Sequence, residues 1–194
     1  MRINIWVSRK SEVFMKTYYY HHLQKHRYDV FDISQLNLYT LKKKLWKKTH
    51  VMYDSIDKSL LFTIKKKPGL THVIYDETNK KVAKVSLNKK NRFFKEVDIK
   101  TYSASYKSVE QIAFGDIQHQ MFSVLNNNEV YLTIKAHFDN DKDRKIELYD
   151  EKDETYALAL MFAVVLLSHH LAHMITKKEK RRKVDLEKAI HKKL

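Results

Sequence analysis

The sequence predicts a mainly β protein: an antiparallel closed β-barrel enclosing a hydrophobic C-terminal helix. Three observations carry this. Most of residues 3–149 reads as short strands, the strands are separated by Asn- and Asp-rich turns, and one segment near the C-terminal end is apolar on every face. A helix apolar all round must be surrounded by apolar material. A closed barrel has no free strand edges and has an interior to fill. Placing the helix inside the barrel satisfies both requirements.

The strands are read from composition and period. "VFMKTYYYHHL" (Val13–Leu23), "HVIYD" (His72–Asp76), "KVAKVSL" (Lys81–Leu87), "MFSVL" (Met121–Leu125), "EVYLTIKAHF" (Glu129–Phe138) and "RKIELYD" (Arg144–Asp150) are rich in β-branched and aromatic residues. Val82, Lys84 and Ser86 alternate with Ala83, Val85 and Leu87, the two-residue period of a strand with one buried face. The turns follow. With only two glycines and one proline in the chain, "DETNKK" (Asp76–Lys81), "NNN" (Asn126–Asn128) and "DNDKD" (Asp139–Asp143) must reverse it. Asn and Asp can do so, because they tolerate positive φ and hydrogen-bond their own backbone.

The helix begins after "DEKDE" (Asp150–Glu154), whose acidic residues suit a positive helix start. Tyr156–Leu167 then carries no polar side chain except the tyrosine hydroxyl. Read as a membrane span, this would make a single-pass protein with its basic C-terminal flank in the cytoplasm. The fully apolar portion is, however, shorter than the roughly twenty residues a bilayer requires. His169, His170 and His173 would occupy the remainder, so the segment is read as a core helix. The expected organisation is one domain over residues 1–176, with the helix at about 154–176. A basic tail follows at 177–194, where Val184, Leu186 and Ile190 fit a short amphipathic helix.

Composition narrows the function. Cysteine is absent, which excludes disulfides and thiolate chemistry. The start "MRINIWVSRKSEVF" lacks the pattern of a secretory signal, so a cytoplasmic location is expected, with peripheral attachment at a membrane. The net charge of +15 is uneven: +10 over residues 1–67, zero over 68–153 and +5 over 154–194. Such asymmetry suits a polyanionic partner. No Gly-rich phosphate loop, nucleophile elbow or His-Glu metal motif is present, so a non-enzymatic module without cofactor or metal is expected.

Two stretches resemble the tubby-like superfamily, which includes tubby C-terminal domains, LURP-one-related proteins and phospholipid scramblases. "HVIYDETNKKVAKVSLNKK" (His72–Lys90) is similar to its recurring strand, Asp-led turn and strand. "EVYLTIKAHFDNDKDRKIELYDEKDETYALALMFAVVLL" (Glu129–Leu167) is similar to its last hairpin feeding into a central helix. The resemblance covers residues 13–176 and implies a roughly twelve-stranded barrel around that helix. It also implies binding of anionic lipid headgroups, as tubby domains bind phosphoinositides through basic residues. The chain departs from the family in placing Asn79-Lys80 where a turn glycine is usual. It also lacks the cysteine cluster of membrane-anchored scramblases.

The binding candidates are the lysine clusters Lys42, Lys43 and Lys44 with Lys47 and Lys48, and Lys65, Lys66 and Lys67. Each lysine near an anionic leaflet contributes about 1 kcal/mol, and Trp46 could insert at headgroup level. "LKKKLWKKTHVMYD" (Leu41–Asp54) also has the spacing of an amphipathic interfacial helix. His169 and His173 stand four apart, a spacing open to zinc. They equally mark where the helix leaves an apolar interior for water. Asp139, Asp141 and Asp143 lack the Gly and distal Glu of a calcium loop. The expected partner is an anionic membrane lipid, with a protein partner for the basic tail. Nucleic acid is the alternative polyanion, through "NRFFKEVDIK" (Asn91–Lys100) and "MKTYYYHHLQKHRY" (Met15–Tyr28).

Overall fold

A computed structural model describes residues 15–24, 27–44, 48–88, 96–102, 110–116, 120–126, 129–137, 140–149 and 154–191. The first six strands are β1 (Lys16–Gln24), β2 (Arg27–Phe31), β3 (Asn37–Lys43), β4 (Thr49–Asp54), β5 (Leu60–Lys67) and β6 (Thr71–Asp76). The next six are β7 (Lys81–Leu87), β8 (Glu96–Thr101), β9 (Glu110–Asp116), β10 (Met121–Asn126), β11 (Glu129–His137) and β12 (Asn140–Leu148), and the helix α1 spans Glu154–His191. Each strand pairs antiparallel with its sequence neighbour, and β1 closes on β12 with Lys16 opposite Leu148 and Tyr18 opposite Ile146. The result is an up-and-down closed barrel with no unpaired edge.

The helix runs through the barrel. Every residue from Tyr156 to Val165 is at most 1 % exposed, so all faces of these turns meet protein. The walls come from strands far apart in sequence: Phe162 packs edge-on to Tyr20 of β1 with ring centroids 6.3 Å apart, and Tyr28 of β2 lies 5.9 Å from it. Tyr156 meets Phe62 of β5 and shares a 2.7 Å hydrogen bond with Thr101 of β8, so its hydroxyl is satisfied in the core. Glu154–Lys177 is long and apolar enough to cross a membrane by length and composition, but in this fold its apolar part fills the barrel.

Three expectations are corrected. Leu41–Asp54 is not an interfacial helix; it is the end of β3, a connection and β4, with Lys42 opposite Val51. Leu41 and Met52 alternate into the core, and that two-residue period wins over the helix-like spacing. The expected turn at Asp139–Asp143 is strand from Asn140 onward, because the ladder that closes the barrel recruits it and sets Asp143 opposite His21; Asp139 lies outside the described residues. The helix does not end near Thr176 but continues to His191. Lys177–His191 contains no glycine or proline and is rich in good helix formers, so nothing stops it.

The turns at the helix-entry end are built without glycine, as composition demanded. In β6–β7, the Asp76 carboxylate accepts from the Lys80 backbone N–H at 2.8 Å and the Thr78 hydroxyl at 2.7 Å, while Asn79 holds φ 62°. The β2–β3 turn repeats the device with Asp32, Ser34, Leu36 and Gln35 at φ 65°. Gly115 at the far end of β9 is different: at φ 123°, an added Cβ would lie 2.8 Å from the Met121 carbonyl oxygen.

Candidate functional site

Six consecutive strands carry an inward-facing basic or aromatic polar residue just past the last apolar layer, at the end where α1 leaves the barrel. On β1, Tyr20 is followed by His22, and on β2 Val30 is preceded by Tyr28. On β3, Leu41 gives way to Lys43; on β4, Met52 to His50; on β5, Ile64 to Lys66; and on β6, Ile74 to His72. Alternation with period two fixes the direction of each side chain. The register sets them side by side, with His22 opposite Tyr28, Lys43 opposite His50 and Lys66 opposite His72. Lys48 joins from the β3–β4 connection, and α1 contributes Leu166, His169, His170 and His173. These residues line a cavity of about 540 Å³, a size suited to a small ligand.

The cavity is basic and internally repulsive. No Asp or Glu is among its described lining residues. Burial, reinforced by His50, His170 and Lys66, pushes the His72 imidazole down to about 3, so it is neutral at physiological pH. His170 is lowered by burial and by Lys66, His173 and Lys48. Lys66 is lowered by burial and by Lys48 and Lys43. The Nδ1 atoms of His72 and His170 are buried without a hydrogen-bond partner, and His72 is only 3 % exposed.

His169 is anchored by contrast. Its Nδ1 lies 2.7 Å from the Tyr28 hydroxyl, and its Nε2 meets the Gln120 amide. Tyr20 donates to the Gln120 amide oxygen at 2.7 Å. Burial holds the phenols of Tyr20 and Tyr28 above the usual tyrosine range, so both stay neutral. His22 stacks on Tyr28 with ring centroids 4.6 Å apart. His169 is half-buried and His173 exposed, where the helix emerges from the interior. Among the described residues no group of three His, Asp or Glu side chains is placed to hold a metal ion.

The barrel wall divides the sequence-predicted lysines. Lys43, Lys48 and Lys66 converge on the cavity. Lys65 points outward, donating to Asn79 Oδ1 at 3.0 Å and lying 4.1 Å over the Tyr75 ring. Lys42 lies in a separate outer cleft of about 370 Å³ with Arg27, Asp54 and Lys58. Beside that cleft, the buried Asp29 is matched by Arg27 at 2.8 Å and by the Thr40 hydroxyl. Lys44 and Lys67 are exposed. Trp46 and Lys47 lie outside the described residues. Sequence reasoning missed His22, Tyr28, His50, His72 and Gln120. For the strand residues, the missed signal was an inward phase that changes from apolar to basic at the same end of neighbouring strands.

No protein-family model matches the chain, and no curated protein matches it in sequence. Among solved structures it is similar to a protein from Arabidopsis thaliana, with a TM-score of 0.60 and 10 % identity, over 79 % of this chain and 90 % of that one. At that identity the likeness concerns the fold alone: an antiparallel barrel with a C-terminal helix.

Proposed function

We propose that this chain is a non-enzymatic, cytoplasmic module of the tubby-like kind that binds anionic phospholipid headgroups at the inner face of a membrane. The observation that carries the reading is the basic mouth, where Lys43, Lys48 and Lys66 stand with histidines and without a lining carboxylate. The twelve-strand barrel around a C-terminal helix supports kinship with that superfamily. Exposed Lys44 and Lys67 flank the same end and widen the positive surface. Attraction of about 1 kcal/mol per lysine gives reversible, salt-sensitive adsorption. The basic continuation of α1 from Lys177 extends from this mouth and adds avidity or meets a protein partner.

Flotation of detergent-free protein with neutral and with anionic vesicles, at low and high salt, tests this. Flotation with anionic vesicles alone, lost at high salt, is expected. Absence of flotation under all four conditions would sink the reading and bring nucleic acid or a protein partner forward.

A further inference from the structure

Electrostatic adsorption uses the lysines and leaves the histidines unexplained. Surface attraction needs only exposed charge, yet here the most enclosed basic side chain of the mouth is a histidine, His72, whose Nδ1 has no partner. A buried imidazole nitrogen without a hydrogen bond is costly and is usually satisfied by protein or water. As a lone pair it awaits a proton; as an N–H it awaits an acceptor. A proton arriving together with an anion satisfies both.

Among the described residues that line the mouth there is no carboxylate to serve as counter-charge. β1 contributes His22, β2 Tyr28, β3 Lys43, the β3–β4 connection Lys48, and β4 His50. Lys66 of β5 stands directly beside His72 of β6, while the residue opposite His72 on β7 is the apolar Val85. From α1 come His169, His170 and His173, and Gln120 reaches His169 from the turn before β10. All the charges these groups can carry at neutral or mildly acidic pH are positive, and each lining cation raises the cost of the next.

We propose that this mouth is a proton-linked site for one compact dianion, a phosphate monoester or its sulfate analogue, seated between Lys43, Lys48 and Lys66 and against His72 and His170, whose binding draws protons onto the pocket histidines. This deepens the lipid-headgroup reading by naming the chemistry the site takes. A monoester presents a charge of about −1.5 to −2 and three strong acceptor oxygens. A phosphodiester carries less charge on fewer open oxygens and makes poorer use of a pocket of convergent donors. The dianion reverses the local field, raising the histidine pKa values toward and above their ordinary range. Affinity therefore increases as pH falls through the histidine range.

Calorimetric titration of the full chain with sodium sulfate, at about pH 6 and about pH 8 in two buffers of different ionisation heat, tests this. Sulfate keeps its charge across that range, so any proton uptake belongs to the protein; a phosphate monoester itself titrates near pH 6. Single-site binding with net proton uptake is expected, tightening by up to about tenfold per pH unit for each proton taken up. His170→Gln, at the half-buried rim, reduces the uptake, and Lys66→Gln weakens binding while leaving uptake in place. Absence of binding at both pH values, or binding without proton exchange, overturns the proposal. Vesicles with phosphatidic acid, a monoester, against phosphatidylserine at equal charge distinguish the source of the group. Sulfate binding without flotation assigns the site to a soluble phosphate ester and removes the membrane reading. Flotation without sulfate binding leaves the membrane reading standing and overturns this one.

Discussion

At the mouth where α1 enters the barrel, Glu154 receives Lys16 at 2.9 Å and the Tyr39 hydroxyl at 3.0 Å, and Asp32, Asp54, Asp57 and Asp76 cap the neighbouring turns. At the mouth where α1 leaves, Lys43, Lys48, Lys66 and the histidines face one another with no carboxylate among the described lining residues. The same strands bound both ends, so the difference comes from the residues placed in the outermost inward layer. One end is matched within itself. The other is basic and hollow, and its described lining holds no matching carboxylate. A structural mouth saturates its polar groups, as most buried groups in proteins are saturated; the exit mouth leaves two imidazole nitrogens open.

The largest expected effect tests what joins the ends. Phe162 lies between the two mouths, fully buried, in contact with Tyr20 and Tyr28. Phe162→Ala opens a cavity there and should cost about 3–5 kcal/mol, read by denaturant unfolding. Both Tyr20 and Tyr28 also support His169, through Gln120 and directly. The variant should therefore weaken anion binding as well, and an unaltered exit mouth in a destabilised barrel would show that the helix does not position it.

Acid should separate the mouths next. His72 is held at about 3 in the folded, empty protein against 6.5 for the ordinary group, so the unfolded chain takes up the proton first. Stability from this group is whole above pH 6.5 and is lost as pH falls toward 3, on the order of 2–3 kcal/mol by about pH 4.5. Glu154 is opposed by its own burial, but Lys16, Tyr18 and Tyr39 outweigh that and lower its pKa. Its stabilisation is whole above its ordinary 4.5 and declines only below it. Unfolding free energy measured against pH should thus begin to fall near the histidine range, with a second decline below the carboxylate value. Saturating sulfate should suppress the first decline and not the second. A single decline below 4.5, unaffected by sulfate, would dissolve the contrast.

How far this was legible in the sequence follows from the same contrast. The threaded barrel was readable because an all-round apolar helix after a series of alternating strands has few places to go, and because the Asp-led turns with Asn79 announced tight reversals. The lysines were readable as a charge excess, but not which of them meet: Lys65 and Lys66 are adjacent in sequence and point to opposite sides of the wall. That sorting needs the register. His50 and His72 belong to different hairpins, and only the barrel brings them to one rim with His170. Asn140–Asp143 looked like a turn because its composition is polar, yet hydrogen bonding to β1 and β11 decides it.

The smallest effects should differ in sign between the mouths. Glu154→Gln keeps the shape but removes the charge that Lys16 and Tyr39 address, and should cost about 1 kcal/mol. Lys66→Gln removes a cation that burial, Lys48 and Lys43 already penalise. It should leave stability unchanged or raise it by up to about 0.5 kcal/mol at low salt, the gain fading as salt screens the repulsion. Chemical denaturation of both variants at two ionic strengths measures this. If Lys66→Gln destabilised as Glu154→Gln does, the exit mouth would have an internal partner for that lysine and would be a second structural end. If the signs differ, the protein retains at its exit a charge arrangement that folding disfavours, as the proposed anion site requires.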